Sequence, residues 1–262
     1  NCARTASSIP ADLPESVTTV TTLAAVILTY NEAAHIVACV ESARFADLML
    51  VFDSGSTDET VLLARQAGAE VQQRPFDHYA GQRNAALAAV SGRADWVLFV
   101  DADERVTPEL AAEVRTVISR ADCAGYRIPR YNYLFGKLTK GAGWYPDYQT
   151  RLLKVGAARY DPERQVHELV LLAGAEGTLQ QHFIHYNYRD VAQFVQKQQR
   201  YTAYDAHILF EQGIRPKPQN YILQPLRQFW WRFVTLRGYQ DGLHGLRLSL
   251  FMAWYEFRKY VL

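Results

Sequence analysis

Residues 96–103 have the sequence Trp-Val-Leu-Phe-Val-Asp-Ala-Asp, five apolar side chains followed by two carboxylates two positions apart. A short, continuous apolar run of this kind predicts a strand buried on both faces. Asp101 and Asp103 then lie at the exit of the strand, where they can share a divalent cation. Because two acids at this spacing also occur by chance, the surrounding sequence has to decide whether they form a metal site.

The chain before residue 96 predicts a parallel sheet with helices between its strands. The predicted elements, in order, are the strand Leu23–Leu28, a helix capped by Asn31, the strand Leu48–Phe52, the helix Glu59–Ala67, the strand Ala69–Gln72, the helix Gly81–Val90 and the strand Trp96–Val100. Apolar strands that alternate with helices are typical of a sheet covered on both faces. Ligands bind such sheets at the carboxyl ends of the strands, where three polar motifs of this chain lie.

The sequence changes character after Asp103. Helices are predicted over Thr107–Ser119 and Val191–Phe210. Three aromatic and basic segments between them predict antiparallel strands that form an acceptor-side half: Gly125–Pro129, Gln149–Lys154 and His182–Tyr188. Beyond residue 216 the pattern is helical, with breaks predicted at Pro225, Gly238 and Gly242.

Charge and composition divide the chain further. Residues 215–262 hold eight Lys or Arg side chains against two acids, a net of +6, so the overall charge of +1 leaves residues 1–214 at −5. We therefore expect a flexible lead-in over 1–22, a catalytic domain over 23–214 and a basic, aromatic helical extension over 215–262. The catalytic domain divides into a nucleotide-sugar half, 23–105, and an acceptor half, 106–214.

Cysteine usage and hydropathy indicate the compartment. The three cysteines follow no zinc or disulfide spacing, so a reducing cytosol is the simplest location, with Cys39 and Cys123 as core thiols. No stretch approaches 18 uninterrupted apolar residues, and the first 22 residues lack the apolar core of a signal peptide.

Four motifs in order carry a resemblance to a known family. They are 26–32 (Val-Ile-Leu-Thr-Tyr-Asn-Glu), 52–58 (Phe-Asp-Ser-Gly-Ser-Thr-Asp), 81–84 (Gly-Gln-Arg-Asn) and 101–104 (Asp-Ala-Asp-Glu). Together they resemble glycosyltransferase family 2 and, within it, the lipopolysaccharide-core glucosyltransferases. The resemblance implies an α/β fold of the glycosyltransferase type A architecture, with a mostly parallel central sheet and here a C-terminal helical extension.

The first three motifs supply the expected nucleotide-sugar site. After the first strand, the polar groups suited to ribose and base belong to Thr29, Tyr30, Asn31 and Glu32. The resemblance implies that Asp53 accepts a hydrogen bond from a uracil-like ring, with Gly55 and Ser56 beside it. The same residues also suit a tight turn that caps the next helix, and the two interpretations are compatible.

Arg83 and the two aspartates complete the donor site. Arg83 is expected to hold phosphate oxygens with its planar guanidinium rather than to be a solvated surface charge. Asp101 and Asp103 are expected to bind Mg²⁺ or Mn²⁺. The resemblance implies that Asp101 faces the nucleotide while Asp103 contacts the metal more directly. His167 is either a further metal ligand or a packed histidine. Glu104 is expected to continue the turn.

The base that takes the acceptor proton stays open between two carboxylates. Asp147 precedes Arg151 by four residues, which resembles the family's base motif, although Pro146 stands where the family more often has a second acid. Glu168 is the rival, either as base or as an acceptor-binding residue. His182 and His185 are three apart on a predicted strand and therefore face opposite sides, with His182 as a structural histidine.

The extension holds three of the five tryptophans among basic side chains. Its helices either pack on the catalytic body or another subunit, or bind a membrane surface, where aromatic and basic side chains contact lipid headgroups. We favour the membrane, and we expect no nucleic acid partner because no recognition module is present.

The predicted function is metal-dependent, inverting transfer of a sugar from a nucleotide diphosphate donor, expected to be a UDP-sugar. The predicted acceptor is a cell-envelope glycan or a lipid-linked saccharide, such as lipopolysaccharide core, at the inner face of the cytoplasmic membrane. Three alternatives are a polyprenyl-phosphate glycosyltransferase, a nucleotidyltransferase and a catalytically degenerate scaffold. A nucleotidyltransferase would ordinarily have a glycine-rich loop near the first strand, where this chain has Thr29-Tyr30-Asn31-Glu32.

Overall fold

A computed structural model describes residues 21–120, 122–163 and 169–262. The strands among these residues are β1 Leu23–Thr29, β2 Leu48–Asp53, β3 Glu70–Gln73, β4 Trp96–Asp101, β5 Glu104–Val106, β6 Gly125–Leu134, β7 Lys137–Thr139, β8 Asp147–Lys154, β9 Ala158–Tyr160, β10 Val170–Leu172, β11 Glu176–Thr178 and β12 Phe183–Tyr188. The helices are α1 Ile36–Ser42, α2 Thr60–Gln66, α3 Tyr79–Val90, α4 Pro108–Arg120, α5 Val191–Glu211, α6 Asn220–Trp230 and α7 Leu243–Val261.

The first four strands form the parallel part of the main sheet, in the order β3-β2-β1-β4. Their apolar side chains are buried on both faces, as the continuous apolar runs predicted. One core packs against α1, α2 and α4, and a second lies beneath α3 and the small β9-β10 sheet. The α/β class and the mostly parallel sheet are confirmed, and the strand ends that carry the polar motifs meet at one edge.

The acceptor half continues the same sheet in the order β8-β6-β12-β5. β8 is antiparallel to β4 and to β6, as predicted. The prediction that all three segments are antiparallel is wrong for β12, which runs parallel to β6 because the chain crosses over through β9 to β11 before it returns. Glu104 does not simply extend a turn, since it begins β5, which pairs antiparallel with β12.

Three local predictions are also corrected. Asn31 does not cap α1, whose N-cap is His35, because Asn31 adopts a left-handed backbone conformation with a φ of 54°. Pro225 does not break a helix, since α6 runs through it from Asn220 to Trp230. Thr22, assigned to the lead-in, is fixed to the body because its N–H and hydroxyl both donate to Asp95 at 2.8 Å.

The helical extension packs on the acceptor half through a third apolar core. Leu248 and Tyr255 of α7 are buried with Phe194 of α5 and with Leu134 and Tyr188 at the ends of β6 and β12. The boundary predicted after residue 214 falls in the exposed segment between α5 and α6. A helical C-terminal extension is therefore confirmed. In the part of the chain that the structure describes, none of the helices combines the length and apolar character needed to span a bilayer.

A loop of the acceptor half also fixes the start of the extension. The backbone N–H groups of Lys140 and Gly141 donate to the Asp241 carboxylate, the shortest contact being 2.7 Å. Arg232 donates to the carbonyl of Ala142 at 2.7 Å. These bonds join the loop to the π-helical turn Trp231–Thr235 and the 3-10 turn Gly238–Asp241. The predicted breaks at Gly238 and Gly242 correspond to this second turn.

Candidate active site

The loops after β1 and β2 are joined by side-chain hydrogen bonds. The Asn31 amide oxygen accepts from the backbone N–H of Thr57 at 2.8 Å, and the Asn31 N–H donates to the Ser56 hydroxyl at 2.8 Å. Asparagine tolerates the left-handed conformation that aims this side chain across the gap. Asn31 and Ser56, predicted as nucleotide-binding residues, are therefore brought together at the carboxyl edge of the sheet.

Asp53 organises the turn after β2. Its side chain is fully buried, and its carboxylate accepts hydrogen bonds from the N–H groups of Gly55 and Ser56, from the Ser56 hydroxyl and from the amide of Gln73. Gly55 has a φ of 90°, a conformation that favours glycine. The tight turn is therefore present, but it does not cap the next helix, because the N-cap of α2 is Glu59. Contact between Asp53 and a base stays a prediction. Gln73, which sequence analysis missed, reaches this turn from the end of β3.

An aromatic cavity of about 690 Å³ lies beside this turn. Three of its lining side chains are aromatic and largely exposed: Tyr30, Phe76 and Tyr79. Its polar lining includes Ser54 and Gln73. A cavity with aromatic walls and a few fixed polar groups suits a flat heterocycle, because ring faces stack and the polar groups select the edge.

Asp101 lies between two arginines. Its Oδ1 accepts from Arg83 at 3.1 Å, and its Oδ2 accepts from Arg151. Burial raises the pKa of Asp101, but the Arg151 and Arg83 guanidiniums outweigh burial and hold the pKa well below its usual range. Arg83 is only 4% exposed, so the surface-charge interpretation is wrong. Arg83 and Arg151 also line a second cavity of about 640 Å³, which shares Tyr79 with the first.

Asp103 faces His185, which lies on β12, the strand that pairs with β5. The Oδ2 atom of Asp103 lies 3.6 Å from Nε2 of His185. The other ring nitrogen of His185, Nδ1, lies 2.6 Å from the Asn132 amide oxygen. The Asn132 amide nitrogen donates to Trp144 and to Asp147, which fixes its oxygen toward the histidine. Nδ1 therefore carries a hydrogen, and Nε2 is the atom that faces the carboxylate.

Asp147 is held as an anion by a buried network. Arg130 donates to its Oδ2 at 2.7 Å and to Glu104 at 3.1 Å. Asn132 donates to the same Oδ2, and Gln149 donates to Oδ1 at 2.9 Å. Burial raises the pKa of Asp147, but the Arg130 charge and these hydrogen bonds outweigh it, so the pKa is lowered.

Glu32 lies on the other side of Asp103. Burial raises the pKa of Glu32 to about 7, and the charge of Asp103 adds to the rise. Its backbone N–H donates to the Thr60 hydroxyl at 2.8 Å, which fixes the loop to the start of α2. Among the described residues of the site, Glu32 therefore retains its proton to near neutral pH, whereas the pKa values of Asp101 and Asp147 are lowered.

Comparison with known proteins identifies the family. Residues 24–165 match the family described as Glycosyl transferase family 2, a match that covers more than half of the 262 residues. The chain belongs to glycosyl transferase family 2. It is a glycosyltransferase, and the family expected from the four motifs is confirmed.

The transferase is similar to several named proteins. It is similar to the lipopolysaccharide core biosynthesis glycosyltransferase LpsC of Rhizobium meliloti (strain 1021), with 29% identity over 247 residues that cover 90% of this chain and 89% of LpsC. An uncharacterized glycosyltransferase of Rickettsia felis is 29% identical over 253 residues, covering 90% of this chain and 87% of the relative. A solved structure of glucosyl-3-phosphoglycerate synthase from Mycobacterium tuberculosis, with Mn²⁺, UDP and glucosyl-3-phosphoglycerate, is 25% identical over 44% of each chain, with a TM-score of 0.36.

The structure of the transferase brings most of the predicted residues to one edge of the sheet. Thr29, at the end of β1, is buried, whereas Tyr30 is exposed at the aromatic cavity. His167 and Glu168 lie outside the described residues, so their roles stay predictions. His182 packs as predicted, stacked on Tyr131 at 3.9 Å. Cys39 is buried in the first apolar core, and Cys123 is half-buried and packs against that core.

Sequence analysis missed several residues of the transferase site. They are Gln73, Arg130, Asn132, Arg151 and His185. The spacing of Asp147 and Arg151 did carry a signal, since it was part of the motif that pointed to a base. His185 carried a weaker one, because its position on the strand opposite to His182 placed it on the other face of the sheet. Asn132 lies in the part of β6 beyond the predicted strand Gly125–Pro129 and gave no signal.

Proposed function

We propose that this transferase moves a sugar, with inversion, from a nucleoside diphosphate donor to a saccharide acceptor in a metal-dependent reaction. The donor would be a UDP-sugar, and the acceptor a cell-envelope glycan or lipid-linked saccharide such as lipopolysaccharide core. The observation that carries the proposal is the aromatic cavity at the same sheet edge as Asp101, Asp103 and two buried arginines. A base-sized cavity beside positive charge suits a nucleoside diphosphate.

The donor contacts follow from the two cavities. The base would stack against Tyr30 and Phe76, with Gln73 and the turn around Asp53 at its edge. The loop from Thr29 to Glu32, with Gly55 and Ser56, would face the ribose. Arg83 lines the second cavity with Arg151, and a guanidinium presents paired N–H groups that match phosphate oxygens. The shared wall at Tyr79 would mark the passage from base to diphosphate.

A divalent cation fits the residues around Asp103. In the described part of the chain no group of three His, Cys, Asp or Glu side chains is poised to hold a metal. Mg²⁺ and Mn²⁺ nevertheless need few protein ligands when phosphates supply the others. Asp103 and His185 offer a carboxylate and an imidazole whose Nε2 faces it, and the bond from Nδ1 to Asn132 is the usual orientation of a metal-bound histidine. Asp101, paired with two arginines, would serve the nucleotide side.

The chemical step needs a proton acceptor and charge compensation. The acceptor oxygen forms a bond to C1 of the sugar as the bond from C1 to the diphosphate breaks, and the electron pair leaves with the diphosphate. A cation held at Asp103 and His185 would neutralise charge on that leaving group. The hydroxyl proton passes to a carboxylate, which we assign to Asp147, with Glu168 as the rival. Asp147 is ionised, as a base must be, but the Arg130 charge and the hydrogen bonds that lower its pKa also weaken it as a base.

Donor turnover with and without metal tests the proposal. We expect hydrolysis of a UDP-sugar by the wild-type protein in Mn²⁺ and none after chelation. Asp103→Asn should lower turnover about 100-fold, while Asp205→Asn, on the exposed face of α5, should have no effect. Absence of both nucleotide binding and a metal effect would overturn the proposal.

Products separate the alternative functions. A polyprenyl-phosphate transferase would place labelled sugar in a lipid extract, and a nucleotidyltransferase would release pyrophosphate instead of a nucleoside diphosphate. A scaffold would leave the cellular glycan unchanged in the Asp103→Asn strain. Transfer to saccharide with loss of that glycan in the variant supports the proposed function.

The extension favours contact with a membrane surface at the cytoplasmic face. Four apolar side chains of α6 are between 59% and 65% exposed: Ile222, Leu223, Leu226 and Trp230. Their spacing places them along one face of the helix, and no residue of α6 is buried. Exposed Arg215, Lys217 and Arg227 lie beside them in sequence. An exposed apolar stripe next to cations is the pattern of an interfacial helix on anionic lipid.

A further inference from the structure

A surface of aromatic and basic side chains lies next to Asp103 and outside both cavities. It consists of His35, Arg105, Tyr133, Tyr186 and Lys197, which we name the acceptor platform. Tyr186 is 42% exposed, and its backbone N–H donates to the carbonyl of Asp103 at 2.9 Å. None of the five residues lines the base cavity or the arginine cavity. The platform therefore adjoins the reaction centre without competing for the donor.

The aromatic rings of the platform are already aligned. Tyr186 lies 5.6 Å from Tyr133 between ring centroids and stacks on His35 with an interplanar angle of 15°. The exposed Tyr186 ring already packs against the half-buried Tyr133 ring at an angle of 40°, so both lose little side-chain entropy when a ligand covers them. The apolar C–H face of a sugar ring matches such a surface, because it covers the rings while its hydroxyl groups stay at the rim.

Arg105 supplies a charge at the edge of the same rings. Its guanidinium lies 5.5 Å from the Tyr186 ring centre, and Nη1 donates to the carbonyls of Ala102 and Glu104. Within residues 21–120, 122–163 and 169–262 it forms no ion pair with a carboxylate. Two main-chain bonds fix the group in place, and Nη2 lies 3.4 Å from Nδ1 of His35. The second hydrogen of Nη2 and the Nε hydrogen are the donors that an anion would use.

Lys197 adds a second charge from α5. Its ammonium lies 5.2 Å from the ring centre of Tyr188, a buried residue two positions after Tyr186 on β12. Lys197 is thus a second cation on the α5 side, whereas Arg105 is the cation placed at the exposed Tyr186 ring. A neutral sugar would need only the rings, whereas an anionic substituent would also use these charges.

We propose that the acceptor platform binds a saccharide that carries an anionic group, phosphate or carboxylate, with its ring on Tyr186 and Tyr133 and the anion on Arg105 and Lys197. This inference rests on the proposed transfer at Asp103 and specifies its acceptor. Phosphate and carboxylate share the recognition chemistry, so the test includes one probe of each kind.

The test measures binding of three probes by saturation-transfer NMR: glucose, glucose 6-phosphate and glucuronate. We expect both anionic probes to bind about tenfold more tightly than glucose, the factor that one added charged contact supplies. Arg105→Gln should remove this preference, Arg105→Lys should retain part of it, and Tyr186→Ala should weaken all three probes. The matched controls are Arg93→Gln, in an exposed pair with Glu70, and Tyr204→Ala, on the exposed face of α5.

Binding of UDP in Mn²⁺ is measured on the same variants. Unchanged UDP binding in Arg105→Gln and Tyr186→Ala shows that the variants are folded and that the loss belongs to the acceptor. Equal binding of glucose and its anionic counterparts by the wild-type protein would overturn the inference, as would a preference that survives Arg105→Gln. Anion binding that Tyr186→Ala leaves unchanged would identify a simple anion site and also overturn it. Failure of UDP to bind the wild-type protein would instead count against the proposed donor.

Discussion

Nε2 of His185 lies 3.6 Å from the Asp103 carboxylate, while Nδ1 of the same ring is directed to Asn132. Because Nδ1 carries a hydrogen, a neutral His185 would aim its lone pair at a negative charge. A proton on Nε2 or a cation between the two groups removes that repulsion. The second of these is what the proposed metal-dependent transfer requires.

His185→Gln should weaken Mn²⁺ binding at least about tenfold, because it removes an imidazole ligand. Mn²⁺ binding is measured by electron paramagnetic resonance on the protein without nucleotide and again with UDP. His207→Gln, in an exposed pair with Glu211 on α5, is the matched control. If the two variants bind Mn²⁺ as the wild-type protein does, His185 is not a ligand and Asp103 must act with other groups.

Arg130 should be the most important charged residue for stability in the site. It pairs with Glu104, which is fully buried, and with Asp147. Arg130→Met should lower the free energy of unfolding by about 3–5 kcal/mol, since it leaves a buried carboxylate uncompensated. Arg93→Met breaks an exposed pair with Glu70 and should cost about 0–1 kcal/mol. Urea unfolding measures both values, and similar losses for the two variants would contradict the buried network.

The parallel half of the fold could be predicted from sequence because its signals are local. The apolar runs of β1, β2 and β4, and the polar loops after them, lie within a few residues of one another. The direction of β12 could not be predicted in the same way. The direction of β12 depends on where the chain re-enters the sheet after β9, β10 and β11. The side chains of β12 alternate between the two faces of the sheet in the same way whether the strand runs parallel or antiparallel to β6.

The site shows the same division between local and distant information. Asp101, Asp103 and Asp53 stand directly after strands and could be singled out from their positions. The side chains around these aspartates could not be predicted. Arg151 contacts Asp101, His185 contacts Asp103, and Asn132 contacts His185. All of them come from strands about 30 to 80 residues farther along the chain. Glu32 was predicted as a polar nucleotide contact, but its raised pKa depends on burial beside Asp103, which only the folded chain creates.

The exposed stripe on α6 should control binding to lipid. The double variant Leu226→Glu, Trp230→Glu should weaken binding to vesicles that contain phosphatidylglycerol about tenfold or more, because it places charge on the apolar face. Co-sedimentation measures the bound fraction with and without the anionic lipid. Leu62→Glu, at a 54% exposed position on α2, is the control. Equal sedimentation of all variants would contradict a role of the stripe in lipid binding.

Glu32 should make stability fall as the pH rises from about 4.5 to about 7. The unfolded chain releases the Glu32 proton near pH 4.5, whereas the folded protein retains it until about pH 7. Between these values the folded state binds more protons, so its free energy of unfolding decreases with pH. Glu32→Gln removes this dependence and should match the wild-type protein near pH 4.5. At about pH 8 it should be more stable by about 1–2 kcal/mol, a value reduced by solvent screening. Urea unfolding in chelator, with Glu109→Gln on α4 as the control, measures the difference. A stability difference that does not change with pH would show that Glu32 ionises normally in the folded protein.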